Sequence, residues 1–316
     1  MSGKSKIAVT MGDPNGIGPE VCIRAFYDGF FEDIYDIVFV GSEPVLQKAN
    51  YKFGKGGPLS IIDPTDFSLG DVEAGVRSEK AGRASVVCIE KAVAMALAGE
   101  VDAIVTAPIS KRSIHMAGST YPGHTEMLMD LTGSENVVML FEGTRFRVAP
   151  VTIHVPLSEV PDMITEESVY VTVSISAREL KKRFGVEDPK IVVCGLNPHA
   201  GESGSFGNEE QEHIIPALER ARAEGISVEG PLPADTLFYD ALRGKWDLVV
   251  AMYHDQGFVP FKMLSFDTGV NVTLGLPILR TSPDHGTAFD IAWKGAARPE
   301  SMIQAIKVAM EICDVR

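Results

Sequence analysis

Cationic side chains are in short supply in this 316-residue chain: 29 Lys and Arg stand against 43 Asp and Glu, a formal net charge of -14 at pH 7. A surface of that sign repels nucleic acid and anionic membranes, so neither is expected as a partner, and an anionic substrate would need a local basic pocket. Cysteine is scarce as well. Cys22, Cys88, Cys194 and Cys313 lie far apart without CxxC spacing, mostly inside apolar runs, and read as reduced core residues rather than a disulfide framework or a thiolate metal site. No run approaches the roughly eighteen apolar residues of a membrane span. The N-terminal MSGKSKIAVTMGDPNG has no hydrophobic core of signal-peptide length, so a cytoplasmic protein is expected. Low-complexity tracts and internal repeats are also missing.

What is present is a chain with 45% hydrophobic residues, enough for a sizeable core and long enough for two domains or one large α/β unit. Apolar strands are expected at 6–10, 36–41, 59–62, 103–108, 136–141, 146–155, 189–196 and 248–255. Helical patterns fall between them at 19–27, from 43 behind a Ser42 cap, at 84–100, from His124, at Glu166–Phe184, and at 208–223, 233–243 and 299–312. In the 84–100 segment Val87, Ile89, Val93, Ala94 and Leu97 are expected to face inward. Alternation of this kind predicts a largely parallel sheet with helices on both faces.

The segment MGDPNGIGPE offers Gly16 and Gly18 as the start of a dinucleotide fingerprint, but the third glycine is absent, which excludes a standard Rossmann site. These glycines can still bring backbone close to a ligand, or simply form a strand-to-helix turn. YPGHTE delivers His124 and Thr125 to a helix start, where they read either as an anion clamp or as a plain cap with Thr125 at the N-cap. Polar chemistry concentrates in 253–288, which holds His254, Asp255, Lys262, Asn271, Arg280, Asp284 and His285. A buried strand and turn need none of these.

Three histidines, His154, His199 and His254, each end or follow an apolar strand. Ligands of open α/β sheets bind beyond the carboxyl ends of strands, and three neutral imidazoles with a vacant position make a divalent-metal site of catalytic type. Taken singly, each reads as well as a satisfied loop histidine.

The blocks GDPNGIGPE, TAPISK, YPGHTE, HVPL, GLNPHAGESGSFGNEE, GPLPADT, AMYHDQGFVPFK and VNVTLGLPILRTSPDHGTA occur in this order over nearly the whole chain. Together they resemble the 4-hydroxythreonine-4-phosphate dehydrogenase family of pyridoxal phosphate biosynthesis. The resemblance implies an α/β, two-domain isocitrate/isopropylmalate dehydrogenase-like fold with mostly parallel sheets and an inter-domain cleft. It implies one domain from 1–125 and 289–316 and a second from 126–288, and a homodimer with sites at the subunit interface. It makes His154, His199 and His254 ligands of one divalent metal (Zn, Mg or Co), and His124, Thr125, Lys262, Asn271 and Arg280 contacts to a phosphorylated small-molecule substrate. NAD or NADP is the implied cofactor, with Gly16, Gly18 and Gly286 as its candidate contacts and Lys262 or Asp235 as the proton acceptor. An Asp235 at a helix start reads equally as a dipole-stabilised carboxylate. The GDPNG block departs from the acidic-Pro-Ala-Gly of well-known members, a feature shared with dehydrogenases for D-threonate or D-erythronate 4-phosphate. A metal-dependent hydrolase is the remaining alternative that three histidines would serve.

Overall fold

The computed structural model describes residues 4–31 and 36–315. Its strands, in chain order, are β1 (Lys6–Thr10), β2 (Asp36–Val40), β3 (Ile61–Ile62), β4 (Ala103–Thr106), β5 (Val138–Glu142), β6 (Arg147–Pro150), β7 (Ile191–Cys194), β8 (Val228–Leu232), β9 (Leu248–Ala251), β10 (Val270–Leu274) and β11 (Leu279–Pro283). Contacts divide the chain into two compact units, Met1–Glu135 with Leu276–Asp314, and Asn136–Gly275. The boundaries expected at 126 and 288 thus fall at 136 and 275, because β11 pairs in parallel with β4 and the His124–Thr132 helix packs on the Glu79–Leu97 helix.

In the first unit the strand order is β3-β2-β1-β4-β11, with every neighbouring pair parallel. The second runs β10-β5-β6-β9-β7-β8, where only β5 is reversed against its neighbours. Strands such as IVVC of β7 and AIVT of β4 are buried along their whole length, the pattern of a parallel sheet covered on both faces. The α/β class with mostly parallel sheets is therefore as expected. All four cysteines are buried thiols outside any disulfide.

Several local expectations shift. The 84–100 helix begins earlier, at Glu79, because the Ser78 hydroxyl accepts from the Ala81 N–H. Its buried stripe runs through Ala81, Ser85, Cys88, Ala92 and Met95, joined by Ile89 and Val93; Ala94 and Leu97 are exposed and Val87 is half-buried. Ser42 precedes the Glu43–Phe53 helix without capping it, since its hydroxyl donates instead to the Phe67 carbonyl at 2.6 Å. The strand expected over 146–155 ends at Pro150, so His154 lies in the bend beyond it.

The largest departure is in 253–288. There β9 ends at Ala251 and a helix, His254–Ser265, follows at once. Gly257 and Pro260 conceal it, since both weaken a helix interior. Packing overrides them. Phe258 and Phe261 are buried, with Phe258 edge-on to Phe141 at 4.2 Å, and each such side chain contributes about 1.5–3 kcal/mol. Gly257 is itself part of the fit: a Cβ there would lie 2.8 Å from Val148 and 3.0 Å from Ala251, so only glycine seats the helix on β6 and β9.

Candidate active site

In the second unit β6, β9 and β7 are parallel neighbours, and each leads into one histidine past its C-terminal end. His154 follows β6, His254 opens the helix after β9, and His199 lies in the loop after β7. Neighbouring strands are about 4.8 Å apart, so the three exits span roughly 10 Å. Hydrogen bonds hold those exits together. Thr152 donates to the Met252 carbonyl from its Oγ1 at 2.8 Å and from its N–H at 3.2 Å. The Met252 N–H donates to Gln256 Oε1 at 2.7 Å, and Gln256 Nε2 donates to the Gly195 carbonyl at 2.8 Å.

His154 and His254 are brought together, with ring centroids 6.0 Å apart, at a cavity of about 460 Å³ that Tyr253 and Asp255 also line. The His254 ring stacks on Phe258 one turn later, at 4.2 Å and 2°, which fixes its plane. Its Nδ1 lies 2.7 Å from Asp255 Oδ1. When Nδ1 donates to that carboxylate, Nε2 keeps the lone pair a metal needs, the usual arrangement behind a ligating imidazole. This donor set fits a divalent ion. His199 does not line the cavity; its ring lies against Phe206 at 6.0 Å. Among the described residues no three His, Cys, Asp or Glu side chains are gathered as a metal-binding group.

The backbone around His199 is strained. Residues 199–203 take φ values of 53, 52, 76, 40 and 58°, a left-handed turn that costs each non-glycine residue roughly 1–2 kcal/mol. Buried Glu210 offsets this by accepting from the Asn197 N–H at 2.7 Å and from Asn197 Nδ2 at 3.0 Å. A Cβ on Gly201 would meet the same carboxylate at 2.5 Å, so glycine is required there.

Two more residues of 253–288 fall in this unit. Lys262 is half-buried two turns after His254, over the Phe266 ring. Asn271 on β10 is 8% exposed, and its Oδ1 is buried with no hydrogen-bond partner among the described residues. An orphaned acceptor of that kind fits a ligand donor. Asp235 is exposed in the first turn of the Ala234–Ala241 helix, which packs against the 198–204 turn.

The first unit carries Arg280, His124 and Thr125. Arg280 on β11 is 3% exposed and donates to Thr106 Oγ1 from Nε at 3.1 Å and from its terminal nitrogen at 2.8 Å. Burial pulls its pKa down to about 10, so the guanidinium stays charged at neutral pH. Burial, and then the Arg280 charge, hold the His124 imidazole well below its usual value, and its Nε2 has no hydrogen-bond partner among the described residues. His124 is the first residue of a nine-residue helix behind Gly123, which leaves Thr125 inside the first turn and not at the N-cap. A buried cation, a neutral imidazole and free helix N–H groups can hold an anion.

The candidate cofactor glycines divide. The Ile17 N–H donates to the Thr287 carbonyl at 3.0 Å, so the Gly16 and Gly286 loops meet. A Cβ on Gly18 would sit 2.3 Å from the Met11 carbonyl oxygen, a packing need independent of any ligand, whereas one on Gly286 would meet nothing within 4 Å.

The sequence profile described as "Pyridoxal phosphate biosynthetic protein PdxA" matches residues 33–309. The chain belongs to the PdxA family. It is 44% identical over 319 residues to a 4-hydroxythreonine-4-phosphate dehydrogenase of Desulforapulum autotrophicum, covering 96% of this chain and 94% of that one. It is also 43% identical over 327 residues to a D-threonate 4-phosphate dehydrogenase of Pectobacterium atrosepticum, covering 97% and 98%. The crystal structure of a 4-hydroxythreonine-4-phosphate dehydrogenase from Klebsiella pneumoniae superimposes with a TM-score of 0.90 at 41% identity, covering 98% of each chain. As a PdxA-family member the chain is an oxidoreductase, which sets the hydrolase alternative aside. No helix is long and apolar enough to cross a membrane, among the described residues.

Other buried residues support these candidate positions, and two of them carry no sequence signal of their own. Thr106 and Glu210 are buried partners whose roles depend on contacts distant in sequence. Asn15, in the GDPNG departure, is fully buried: its Nδ2 donates to the Val76 carbonyl at 2.9 Å and its Oδ1 accepts from the Glu73 N–H at 2.9 Å. It thereby ties the glycine loop to 73–78. The presence of an amide in place of a small residue in that motif was the available clue.

Proposed function

We propose that this chain oxidises the 3-hydroxyl of 4-phosphohydroxy-L-threonine with a nicotinamide cofactor and a divalent metal, and that the resulting β-keto acid loses carbon dioxide to give 3-amino-2-oxopropyl phosphate. Pairing of His154 with His254, the latter backed by Asp255, at the ends of adjacent parallel strands in a PdxA-family chain is the observation that carries this reading. His154, His199 and His254 would hold the ion, and a bound divalent metal supplies Lewis acidity at the reacting hydroxyl. NAD or NADP supplies the hydride acceptor.

The chain's own groups do the rest. Arg280, charged and buried, binds a phosphate or carboxylate, and neutral His124 adds a hydrogen bond without competing for the anion's charge. Thr125 presents a hydroxyl and a backbone N–H in the first turn of the same helix. In the second unit Asn271 Oδ1 accepts from a substrate hydroxyl or ammonium group. Lys262, as its neutral amine, is the proposed acceptor of the hydroxyl proton; exposed Asp235, already placed where a helix dipole stabilises it, is the second candidate. Gly286, open to solvent, and Gly16 form the proposed cofactor contact, with Gly18 in support.

A homodimer completes the reading. On the His254–Ser265 helix and its C-cap, Val259, Met263 and Phe266 are 55, 80 and 72% exposed at helical spacing, an apolar stripe that supports burial against a second copy. With the triad unclosed in one chain, assembly is the proposed route to a complete metal site.

The 43% identical D-threonate 4-phosphate dehydrogenase favours a second substrate, in which a hydroxyl replaces the amine: D-threonate or D-erythronate 4-phosphate. NADH formation by metal-loaded protein with each of the three phosphates, with and without chelator, tests both readings. Chelator-sensitive turnover of the amino acid supports the first, and preference for a sugar-acid phosphate supports the second. No reduced nicotinamide from any of them defeats both.

A further inference from the structure

Gln256 occupies the third position of the His254–Ser265 helix, where a glutamine or glutamate ordinarily reaches back to cap the helix start. Here the Oε1 accepts from the Met252 N–H at 2.7 Å, a local bond that a carboxylate would serve equally well. The other end of the amide does something no cap requires. Nε2 donates at 2.8 Å to the carbonyl of Gly195, 61 residues away, at the exit of β7. Both partners force the orientation of the amide, since an N–H must meet oxygen and a carbonyl must meet the NH2 group. The carbonyl of Met252, in the next peptide unit, is held by Thr152, which is 4% exposed and lies at the exit of β6.

One residue, Met252, therefore connects the three loops that carry His154, His254 and His199. Sheet hydrogen bonds between β9 and β7 end at Val193 and Val250, so beyond that point Gln256 takes over the spacing of the two loops. We infer that Gln256 is a positioning residue: through Met252 and Gly195 it holds the His254 and His199 loops in place at their strand exits, and hence sets divalent-metal affinity, whether the two imidazoles serve one ion or each meets ligands of a second copy. The inference rests on the reading of the three histidines as metal ligands. Outer-shell groups that orient ligating histidines typically change metal affinity by about 10–100-fold when removed.

Gln256→Glu separates this role from helix capping, because it keeps the acceptor for Met252 and removes the donor to Gly195. Gln256→Asn is one methylene shorter and cannot span both partners. Apo protein prepared by chelation is titrated with Zn²⁺ and with Co²⁺, and the visible Co²⁺ spectrum is recorded beside the thermal midpoint and the KM for the nicotinamide cofactor. Metal dissociation constants raised about 10–100-fold in folded variants, with an altered Co²⁺ spectrum and an unchanged cofactor KM, support the inference. Wild-type affinity in folded Gln256→Glu overturns it. If wild-type protein binds neither ion, or if His154→Ala and His254→Ala bind as wild type does, the metal reading itself fails and takes the inference with it.

Discussion

Replacing Arg280 with methionine separates the demands of folding from those of binding. Arg280 is 3% exposed, and burial lowers its pKa well below the ordinary arginine range, to about 10. That difference corresponds to about 3 kcal/mol of stability forgone to keep a charge in place. Arg280→Met relieves it with a side chain of similar length, while each acceptor that loses its donor, Thr106 Oγ1 among them, gives back about 1 kcal/mol. The ligand-free variant is therefore expected to be more stable, by at most about 2 kcal/mol, raising the apparent thermal midpoint by at most about 4–8 °C. Inorganic phosphate should raise the wild-type midpoint and leave the variant's unchanged. Turnover should fall at least about a hundredfold in kcat/KM, equivalent to about 3 kcal/mol for one charge-assisted anion contact. Scanning fluorimetry with and without phosphate, beside steady-state kinetics, checks each part. A lower midpoint in Arg280→Met would refute the reasoning, because it would mean that the cation is kept for the fold and not for a ligand.

Acid should reveal His124. Its folded-state pKa lies well below the usual 6.5, so as pH falls through 6.5 the unfolded chain takes up a proton that the folded one refuses, and stability is lost. Relative to His124→Asn, wild type should lose about 1.4 kcal/mol per pH unit below 6.5, measured by denaturant unfolding at pH 7.5 and 5.5; a constant gap would contradict a buried neutral imidazole. Gly18→Ala should lower expression and thermal midpoint sharply, since its Cβ would meet the Met11 carbonyl oxygen at 2.3 Å, whereas Gly286→Ala should fold normally and raise the KM for the nicotinamide cofactor. Glu210→Ala leaves the Asn197 N–H without its acceptor and should cost about 2–4 kcal/mol, with protease cleavage appearing in the 198–204 turn. Unaltered cleavage kinetics would show that the turn holds itself.

Where several local signals agreed along the chain, the reading from residues alone was good. Glu166–Phe184 was expected and found over the same span, because Thr165 caps it, Glu166 and Glu167 open it, Lys181, Lys182 and Arg183 close it, and Gly185 ends it in the left-handed conformation. Strands β4, β7 and β9 lie within the expected apolar runs for the same reason, trimmed where sheet pairing stops. Placement of three histidines beyond three strand ends was also legible, since an alternating βα pattern dictates parallel strands and a common edge.

Other features belong to tertiary structure. The His254–Ser265 helix forms against its own glycine and proline because Phe258 and Phe261 find a core made by β5, β6 and β9. The left-handed turn of His199 persists because a buried carboxylate from 210 grips Asn197. Arg280 meets Thr106 across 174 residues, and Gln256 meets Gly195 across 61. Local preferences are worth tenths of a kcal/mol per residue, while burial of a ring or satisfaction of a buried polar group is worth several times that. Periodicity and caps could therefore name most of the elements, and only contacts between distant residues could set their geometry.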